Sequence, residues 1–192
     1  VPSDAEPGLY TGTVTVTAGG GQEIQVPVRL QVWNFTLPEE ITVESSFGWS
    51  CSGCASGHER LGSTIPDRKA LAVLYFQEAL KHRMTLRGFA SCASLPYAYD
   101  EAEDRIVFDW TEHDAFVTPA LDGGLIGTGA AFNAASLPHP GLEDPLKVLY
   151  WRAYAEHYRE KGWLDRLYLY LPDEPIPSQY PYVAHLADLL HE

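Results

Sequence analysis

Strand-like segments alternate with helix-like segments from residue 41 to the end of the chain. The predicted strands are 41–49, 84–90, 124–132 and 166–171, with a short additional strand at 105–110. The predicted helices are 67–83, 146–162 and the segment from 182 onward. This alternation is typical of βα units around a parallel sheet. A closed (β/α)8 barrel needs roughly 250 residues, so residues 41–192 predict an α/β fold that is the first half of such a barrel.

The first 35 residues have a different pattern. Apolar residues alternate with threonine or other polar residues in 10–17 and 24–32, and a glycine-rich segment, 19–22, lies between the two runs. This combination predicts a β-hairpin. An isolated hairpin is only marginally stable in water. We therefore interpret 1–35 as the end of a β-sandwich domain, 36–40 as a linker and 41–192 as the half-barrel.

The charge balance narrows the range of partners. The 192 residues include 13 Lys and Arg against 26 Asp and Glu, which gives a net charge of −13. Binding to nucleic acid or to an anionic membrane requires clustered basic residues, so neither partner is expected. No apolar run approaches the ~20 residues that span a bilayer. The chain lacks an initiator methionine and stops within a helical pattern, so we expect it to be part of a longer polypeptide that supplies further contacts.

Two adjacent acids, Asp173 and Glu174, follow the last predicted strand between Pro172 and Pro175. Active sites of barrel enzymes lie at the C-terminal ends of the strands, so this position is one where catalytic carboxylates occur. Acidic residues and prolines also favour the start of a helix. From the residues alone, the pair is either a catalytic pair or a cap for the next helix.

Three stretches together resemble a known family: 7–38, 109–121 and the segment "YLYLPDEP" at 168–175. In these stretches the chain is similar to the bacterial glycoside-hydrolase-like proteins grouped as domain of unknown function 4091, which are related to glycoside hydrolase family 123. The resemblance spans nearly all of this chain but about half of a member's catalytic region. It implies a β-sandwich that leads into a (β/α)8 barrel, with an Asp–Glu pair after the fourth barrel strand.

The resemblance also implies a chemistry for the acids. Adjacent carboxylates cannot flank a glycosidic bond at the ~5–10 Å separation of the common two-carboxylate mechanisms, but they suit substrate-assisted hydrolysis of a 2-acetamido sugar. In that retaining mechanism the acetamido oxygen attacks the anomeric carbon. By resemblance, Glu174 protonates the leaving oxygen and Asp173 orients the acetamido N–H. We hypothesise an N-acetylhexosaminidase-like glycosidase that needs no cofactor and no metal.

A sugar site also needs aromatic surfaces and polar anchors close to the acids. Candidates are found at the ends of the predicted strands or within them, where side chains can reach the same end of a parallel sheet. The candidate substrate contacts are Trp49, Arg87, Trp110, Asn133 and Tyr170. The alternative hypothesis is a non-catalytic carbohydrate-binding or cell-surface scaffold protein on the same fold, because a barrel alone does not imply catalysis.

Three cysteines and a histidine are compatible with redox chemistry, with a zinc site or with a structural disulfide. Cys51 and Cys54 have the spacing of a redox motif, but that motif needs a helix that begins at its first cysteine, and the glycine-rich segment 55–66 predicts a loop. Cys51, Cys54, His58 and Cys92 could also bind zinc, although the spacing is only half of a usual signature. A disulfide that staples the loop fits best with an exported bacterial protein, either secreted, periplasmic or on the cell surface.

Two further expectations concern histidine and tyrosine residues. His113, in the segment 109–116, is interesting because that excursion could reach over the site, but we expect it to be a solvated surface residue. Tyr150, Trp151, Tyr154 and Tyr158 have helical spacing. This stripe predicts a helix face that packs on the sheet, not a ligand site.

Overall fold

The computed structural model describes residues 1–2 and 4–191, and in these residues it is a mixed α/β protein with small two-stranded sheets and five α-helices. The chain divides into two compact units, Val1–Pro38 and Glu39–Glu192. In the part of the chain that the structure describes, none of the helices combines the length and the apolar composition needed to cross a bilayer.

The first unit contains an antiparallel hairpin of β1, Gly8–Thr17, and β2, Glu23–Val32. The predicted hairpin is therefore confirmed. Val14 lies opposite Val26 in the register, so the apolar side chains of both strands share one face. That face is open, because Val14 is 52% and Val26 is 46% exposed. An apolar sheet face of this kind is normally covered by a second layer.

The second unit contains the remaining elements. Its strands are β3 Phe47–Gly48, β4 Leu86–Arg87, β5 Tyr97–Asp100, β6 Arg105–Phe108, β7 Ala135–Leu137 and β8 Leu167–Leu169. Its helices are α1 Cys51–Arg60, α2 Arg68–Lys81, α3 Thr111–Leu121, α4 Asp144–Glu160 and α5 Tyr180–Leu190. Short 3₁₀ turns are formed by Phe89–Cys92, Leu164–Arg166 and Pro177–Gln179.

Parallel pairing occurs twice, between β3 and β4 and between β7 and β8. Side chains connect the two pairs: the hydroxyl of Ser46 bonds that of Tyr168 in β8, and Arg87 lies against Tyr170 just after β8. These contacts bring β8 close to β3 and β4. Among the described residues the four strands form separate pairs and no closed barrel.

The segment between β4 and β7 forms an excursion with its own secondary structure. Strands β5 and β6 form an antiparallel hairpin, and α3 follows directly. Helix α4 packs on β6 through its aromatic stripe, and all four residues of that stripe are buried, as the helical spacing predicts. The core continues from this stripe into large apolar residues of the other elements, including Phe76, Phe89, Phe132 and Trp163.

The long helices lie close to where the sequence predicts them. Helix α2 begins after Asp67, whose carboxylate accepts hydrogen bonds from the backbone N–H groups of Lys69 and Ala70 at 2.9 and 3.0 Å. A capping aspartate of this kind satisfies backbone donors that a helix start leaves free. Helix α4 begins at Asp144 and ends at Glu160, two residues before the predicted 146–162 at each end.

The strand predicted at 124–132 is wrong. This segment has no strand, and the paired strand begins later, at Ala135. Gly127 and Gly129 adopt left-handed backbone conformations, with φ of 71° and 85°, which turn the chain instead of extending it. Gly123 approaches Gly129 so closely that an added Cβ would lie 2.4 Å from the Gly129 carbonyl oxygen. The glycines therefore serve a tight loop.

The first two strands of the second unit are much shorter than predicted. Only Phe47–Gly48 of the segment 41–49 and Leu86–Arg87 of 84–90 are paired. The flanking residues still contribute to the unit: Ile41 is buried, and the backbone N–H of Phe47 donates to the Thr85 carbonyl at 2.9 Å. Helix α3, over Thr111–Leu121, is absent from the predicted elements.

Candidate functional site

The two acids lie in an open turn just beyond β8. Asp173 and Glu174 are both exposed, and Glu174 has a left-handed backbone conformation with φ of 44°. Residues with a Cβ adopt this conformation at a cost, and such residues are enriched at functional sites. Helix α5 begins at Tyr180, after the cap residue Gln179, and has no acid in its first turn. The alternative that the pair caps the next helix is therefore wrong.

Arg87 and Tyr170 are brought together next to this turn. The guanidinium carbon of Arg87, at the end of β4, lies 3.6 Å from the centroid of the Tyr170 ring. Both side chains are half-buried. Tyr170 is only three residues before Asp173, so the cation–aromatic pair and the acids belong to one end of the parallel strands. Such a pair places a cation and an aromatic ring on the same surface.

The chain around Tyr170 is held by contacts from β7 and α4. His139, which follows β7, donates from Nε2 to the carbonyl oxygen of Tyr170 at 2.7 Å. The indole N–H of Trp151 in α4 donates to the carbonyl of Pro138 at 2.8 Å. The first bond connects the C-terminal ends of β7 and β8, and the second connects α4 to the chain after β7. His139 was not predicted as a site residue, and its position in a proline-flanked loop gave no periodic signal.

Trp49 follows β3 and packs against α2. Its ring packs on α2, with ring centroids 5.2 Å from Phe76 and 6.4 Å from Tyr75. Its indole Nε1 is buried and has no hydrogen-bond partner in the described residues. The side chain is half-buried and contacts the core. A tryptophan held in this way contributes mainly to packing between β3 and α2.

Trp110 lies at the start of α3 and stacks on a histidine from α4. The rings of Trp110 and His157 are nearly parallel, with an interplanar angle of 3° and centroids 3.8 Å apart. Both residues line an open cleft of about 400 Å³ between β6 and α4, together with charged side chains that include Arg152 and Glu156. This cleft is formed by the excursion and is separate from the turn that carries the acids.

Asn133 braces the backbone before β3. Its side-chain N–H groups donate to the carbonyl oxygens of Ile41 at 2.9 Å and Val43 at 3.2 Å. Its side-chain oxygen accepts from the hydroxyl of Thr85 at 2.9 Å, and its backbone N–H donates to the same hydroxyl. All three side-chain groups are engaged within the protein, so Asn133 connects three segments of chain. Of the five predicted substrate contacts, the structure brings together only Arg87 and Tyr170.

A buried polar network between α3 and α4 was not predicted. Asp114 accepts from Nδ1 of His113 at 3.1 Å and from Nε2 of His157 at 2.9 Å, and it pairs with Lys161 at 2.7 Å. His113 is 2% exposed, so the expectation of a solvated residue is wrong. Its burial arises when α4 packs against α3, a contact that is remote in sequence. The sequence signal for this network is the position of His157, three residues after Tyr154 of the aromatic stripe in α4.

The tyrosines complete this network. Tyr154 donates its hydroxyl hydrogen to the Tyr158 oxygen at 3.0 Å, and the Tyr158 oxygen is 3.4 Å from Nε2 of His113. Because Nδ1 of His113 donates to Asp114, its Nε2 is the acceptor in the neutral ring. Burial lowers the pKa of His113, and the bond to Asp114 only partly opposes this effect. Burial also raises the pKa of Tyr154 well above its ordinary value.

The carboxylate at the centre of the network stays ionised. Burial alone raises the pKa of Asp114, but hydrogen bonds from Lys161, His157 and His113 outweigh it, so the pKa lies below its ordinary value. A neutral histidine beside an ionised aspartate is an arrangement that occurs in proton-transfer sites. Here both tyrosine hydroxyls and His113 are enclosed, so the network serves primarily to hold α3 and α4 together.

Cys51 and Cys92 form a disulfide with Cα atoms 5.5 Å apart. Cys54 is a free, half-buried thiol. The segment after β3 is a helix and not the predicted loop, because Ser50 caps it by accepting from the backbone N–H of Gly53 at 3.1 Å. The disulfide therefore joins α1 to the 3₁₀ turn Phe89–Cys92, which follows β4.

The structure offers no zinc site in this region. The disulfide takes up two of the four possible zinc ligands. Across residues 1–2 and 4–191, no group of three or more histidine, cysteine, aspartate or glutamate side chains is positioned to hold a metal ion.

Comparison of the sequence with models of known protein families and with curated proteins finds no match to either.

Proposed function

We propose that the protein is a glycoside-hydrolase-like protein that acts on 2-acetamido glycosides by substrate-assisted, retaining hydrolysis. Glu174 is the general acid and Asp173 orients the acetamido group. The observation that carries this proposal is the exposed Asp173–Glu174 pair just beyond β8, three residues after Tyr170 of the Arg87–Tyr170 pair, with Glu174 held at a φ of 44°. An accessible acid pair beside an aromatic ring and a guanidinium is suited to a sugar, which has both apolar ring faces and polar hydroxyls.

The chemistry requires two different tasks from neighbouring carboxyl groups. The acetamido oxygen of the substrate attacks the anomeric carbon and forms an oxazolinium, while Glu174 gives its proton to the leaving oxygen. The carboxylate of Asp173 accepts the acetamido N–H and offsets the positive charge that develops on it. Water then opens the oxazolinium, with Glu174 taking the proton back, so that the anomeric configuration is retained.

The proposed scaffold is the first half of a (β/α)8 barrel. Its support is the parallel pairing of β3 with β4 and of β7 with β8, and the position of the acids after the fourth of these strands. We also propose that the hairpin of β1 and β2 belongs to a β-sandwich. The open apolar face of that hairpin supports this, because further strands of the same polypeptide could cover it.

Export from a bacterial cell is part of the same proposal. The Cys51–Cys92 disulfide supports it, because disulfides persist in oxidising compartments such as the periplasm and the cell exterior. The substrate is then a 2-acetamido sugar polymer or glycan outside the cytoplasm.

The test compares two substrates in the full-length protein. With a poor alkyl leaving group, Glu174→Gln should lower kcat/KM by about 10²- to 10⁴-fold, because the departing oxygen then lacks its proton. With an activated aryl leaving group, the same variant should retain much more activity. Asp173→Asn should slow both substrates, since formation of the oxazolinium loses its partner in each case. Glu103→Gln, in the turn between β5 and β6, is the matched surface control.

Two results would overturn this function. Equal hydrolysis of 2-hydroxy and 2-acetamido sugars by the wild-type protein would exclude substrate assistance. No hydrolysis by the wild-type protein, combined with sugar binding that Tyr170→Ala weakens, would establish the alternative of a carbohydrate-binding protein on the same scaffold.

A further inference from the structure

Cys51 and Cys54 in α1 are close enough for a disulfide that differs from the Cys51–Cys92 disulfide. Helix α1 begins at Cys51, so Cys51 and Cys54 are one turn apart on one face of a helix. Ideal helix geometry separates the Cα atoms of such residues by about 5 Å. That separation falls within the range of about 4.4–6.8 Å that a disulfide can bridge. The Cα atoms of Cys51 and Cys92 are 5.5 Å apart. Cys51 can therefore be bridged to either of two partners.

Polar groups of α1 and α2 surround Cys54. Interaction with Cys54 raises the pKa of the Tyr75 hydroxyl, on α2. The same hydroxyl is 2.9 Å from Nε2 of His58, on the next turn of α1. The Tyr75 hydroxyl therefore lies next to groups of two successive turns of α1, Cys54 and His58.

We propose that Cys54 and the Cys51–Cys92 disulfide form an internal thiol–disulfide switch. The Cys54 thiolate attacks Sγ of Cys51, the Cys51–Cys54 bond forms, and the Cys51–Cys92 bond breaks. Cys92 leaves as a thiolate and takes up a proton, which replaces the one lost by Cys54. One disulfide and one thiol are present before and after the step, so no external oxidant or reductant is needed.

The exchange changes the attachment of the 3₁₀ turn Phe89–Cys92. In the disulfide state described here, this turn is covalently tied to α1. In the alternative state, Cys92 is free, while Phe89 stays anchored because it is only 1% exposed in the core. The switch therefore releases the C-terminal end of the turn and leaves the core intact. The turn begins two residues after Arg87, the residue that packs on Tyr170.

The sulfur atoms are accessible to small reagents. Cys51 and Cys92 are half-exposed and line an open cavity of about 630 Å³ with Ser50, Ser52 and Ser91. A low-molecular-weight thiol can enter from this side and accelerate the exchange through a mixed disulfide. The internal step does not depend on it, because Cys54 is on the same helix as the sulfur that it attacks.

The test follows which cysteine is free. The protein, purified without reductant, is incubated at about pH 6.5 and about pH 8.5 and then blocked with N-ethylmaleimide, and the labelled cysteine is identified by mass spectrometry of unreduced peptides. We expect the label on Cys54 and on Cys92, never on both in one molecule, with Cys51 unlabelled. The label should reach Cys92 faster at the higher pH, since the thiolate is the nucleophile.

Two variants separate the switch from accidental reduction. Cys54→Ser retains Cys51–Cys92 and should show no label on Cys92; label there would mean that Cys92 is released by another route and would overturn the proposal. Cys92→Ser treated with oxidised glutathione should form a Cys51–Cys54 disulfide with no thiol left, whereas stable glutathione adducts on both cysteines would overturn it. Label on Cys54 alone in the wild-type protein at both pH values would overturn it even if Cys92→Ser fails to fold.

Discussion

Arg87 lies over the ring of Tyr170, with its guanidinium carbon 3.6 Å from the ring centroid. This contact joins the end of β4 to the chain just beyond β8, two strands that have no backbone pairing with each other. It therefore stabilises the arrangement of the parallel strand pairs as well as the surface next to the acids. The half-buried position of both residues favours a measurable interaction, because water competes less for the cation.

A double-mutant cycle measures this interaction. Arg87→Met keeps most of the length of the side chain, and Tyr170→Leu keeps an apolar side chain without an aromatic ring, so each removes the cation–aromatic contact. We expect a coupling free energy of about 0.5–1 kcal/mol in urea unfolding. The matched control combines Arg87→Met with Tyr99→Leu, in the β5–β6 hairpin, and should be additive. Additivity for Arg87 and Tyr170 as well would show that the contact contributes nothing to stability.

Local signals were sufficient to predict the long helices but not the irregular segments. Asp67 before an apolar stripe predicts the start of α2, because a cap and a helical period are both local features. The strand predicted over 124–132 includes Gly127 and Gly129, whose left-handed backbone turns the chain in the structure. Helix α1 was missed because Gly53 and Gly57 resemble a loop, whereas the cap at Ser50 and packing on α2 outweigh their low helix propensity.

Site residues depended on contacts that sequence patterns do not contain. The candidates Trp49, Arg87, Trp110, Asn133 and Tyr170 were chosen because they lie in predicted strands or near their ends. The direction in which each side chain points depends on register and on neighbours remote in sequence. Asn133 meets the carbonyl oxygens of Ile41 and Val43, more than 85 residues away, at 2.9 and 3.2 Å. Only the tertiary structure shows that the side-chain amide of Asn133 is already hydrogen-bonded within the protein.

Replacement of Asn133 should destabilise the second unit. Asn133→Leu leaves the carbonyl oxygens of Ile41 and Val43 without their donor and the hydroxyl of Thr85 without its acceptor. Each lost partner of a buried or half-buried group costs about 1–3 kcal/mol. We expect the free energy of unfolding to fall by about 2–4 kcal/mol in urea denaturation. Asn34→Leu, in the first unit, is the matched control. If both variants unfold at the same urea concentration as the wild type, the hydrogen bonds of the Asn133 side chain do not contribute to stability.

The His113 network should make stability depend on pH. The folded pKa of His113 lies below its ordinary value of 6.5, because the ring is buried. The unfolded chain therefore binds a proton more readily than the folded one, and the free energy of unfolding falls as pH decreases below about 6.5. The groups that face His113 are Asp114, His157, Lys161, Tyr154 and Tyr158, and Trp110 covers one side.

Urea unfolding at about pH 7.5 and about pH 5 measures this effect. We expect wild-type stability to decrease between them with a slope of at most about 1.4 kcal/mol per pH unit from this one group. His113→Gln should be less stable at the higher pH, because it disturbs the bonds to Asp114 and Tyr158, and should show a smaller decrease. His82→Gln, at the exposed end of α2, controls for the loss of a histidine. An undiminished decrease in His113→Gln would assign the pH dependence to other groups.

The backbone of Glu174 provides a test that separates stability from chemistry. Its φ of 44° places the Cβ close to the carbonyl oxygen, a conformation that costs an L-residue about 1–2 kcal/mol. Glu174→Gly removes this cost, although glycine also increases the entropy of the unfolded chain by about 0.4–1 kcal/mol. We therefore expect a net increase in the free energy of unfolding of about 0.5–1 kcal/mol.

Asp173→Gly is the matched control for this substitution. Asp173 has no positive φ, so its replacement gains nothing in the folded state and should lower stability through the entropy of the unfolded chain. The changes in the free energy of unfolding at the two adjacent positions are measured by urea or thermal unfolding. Opposite signs of these changes identify the strain at Glu174. A Glu174→Gly protein less stable than the wild type would disprove it. Glu174→Gly could gain stability and also lose hydrolysis of a 2-acetamido glycoside. That result would show that the strained backbone at Glu174 is kept because catalysis needs the carboxyl group at this position.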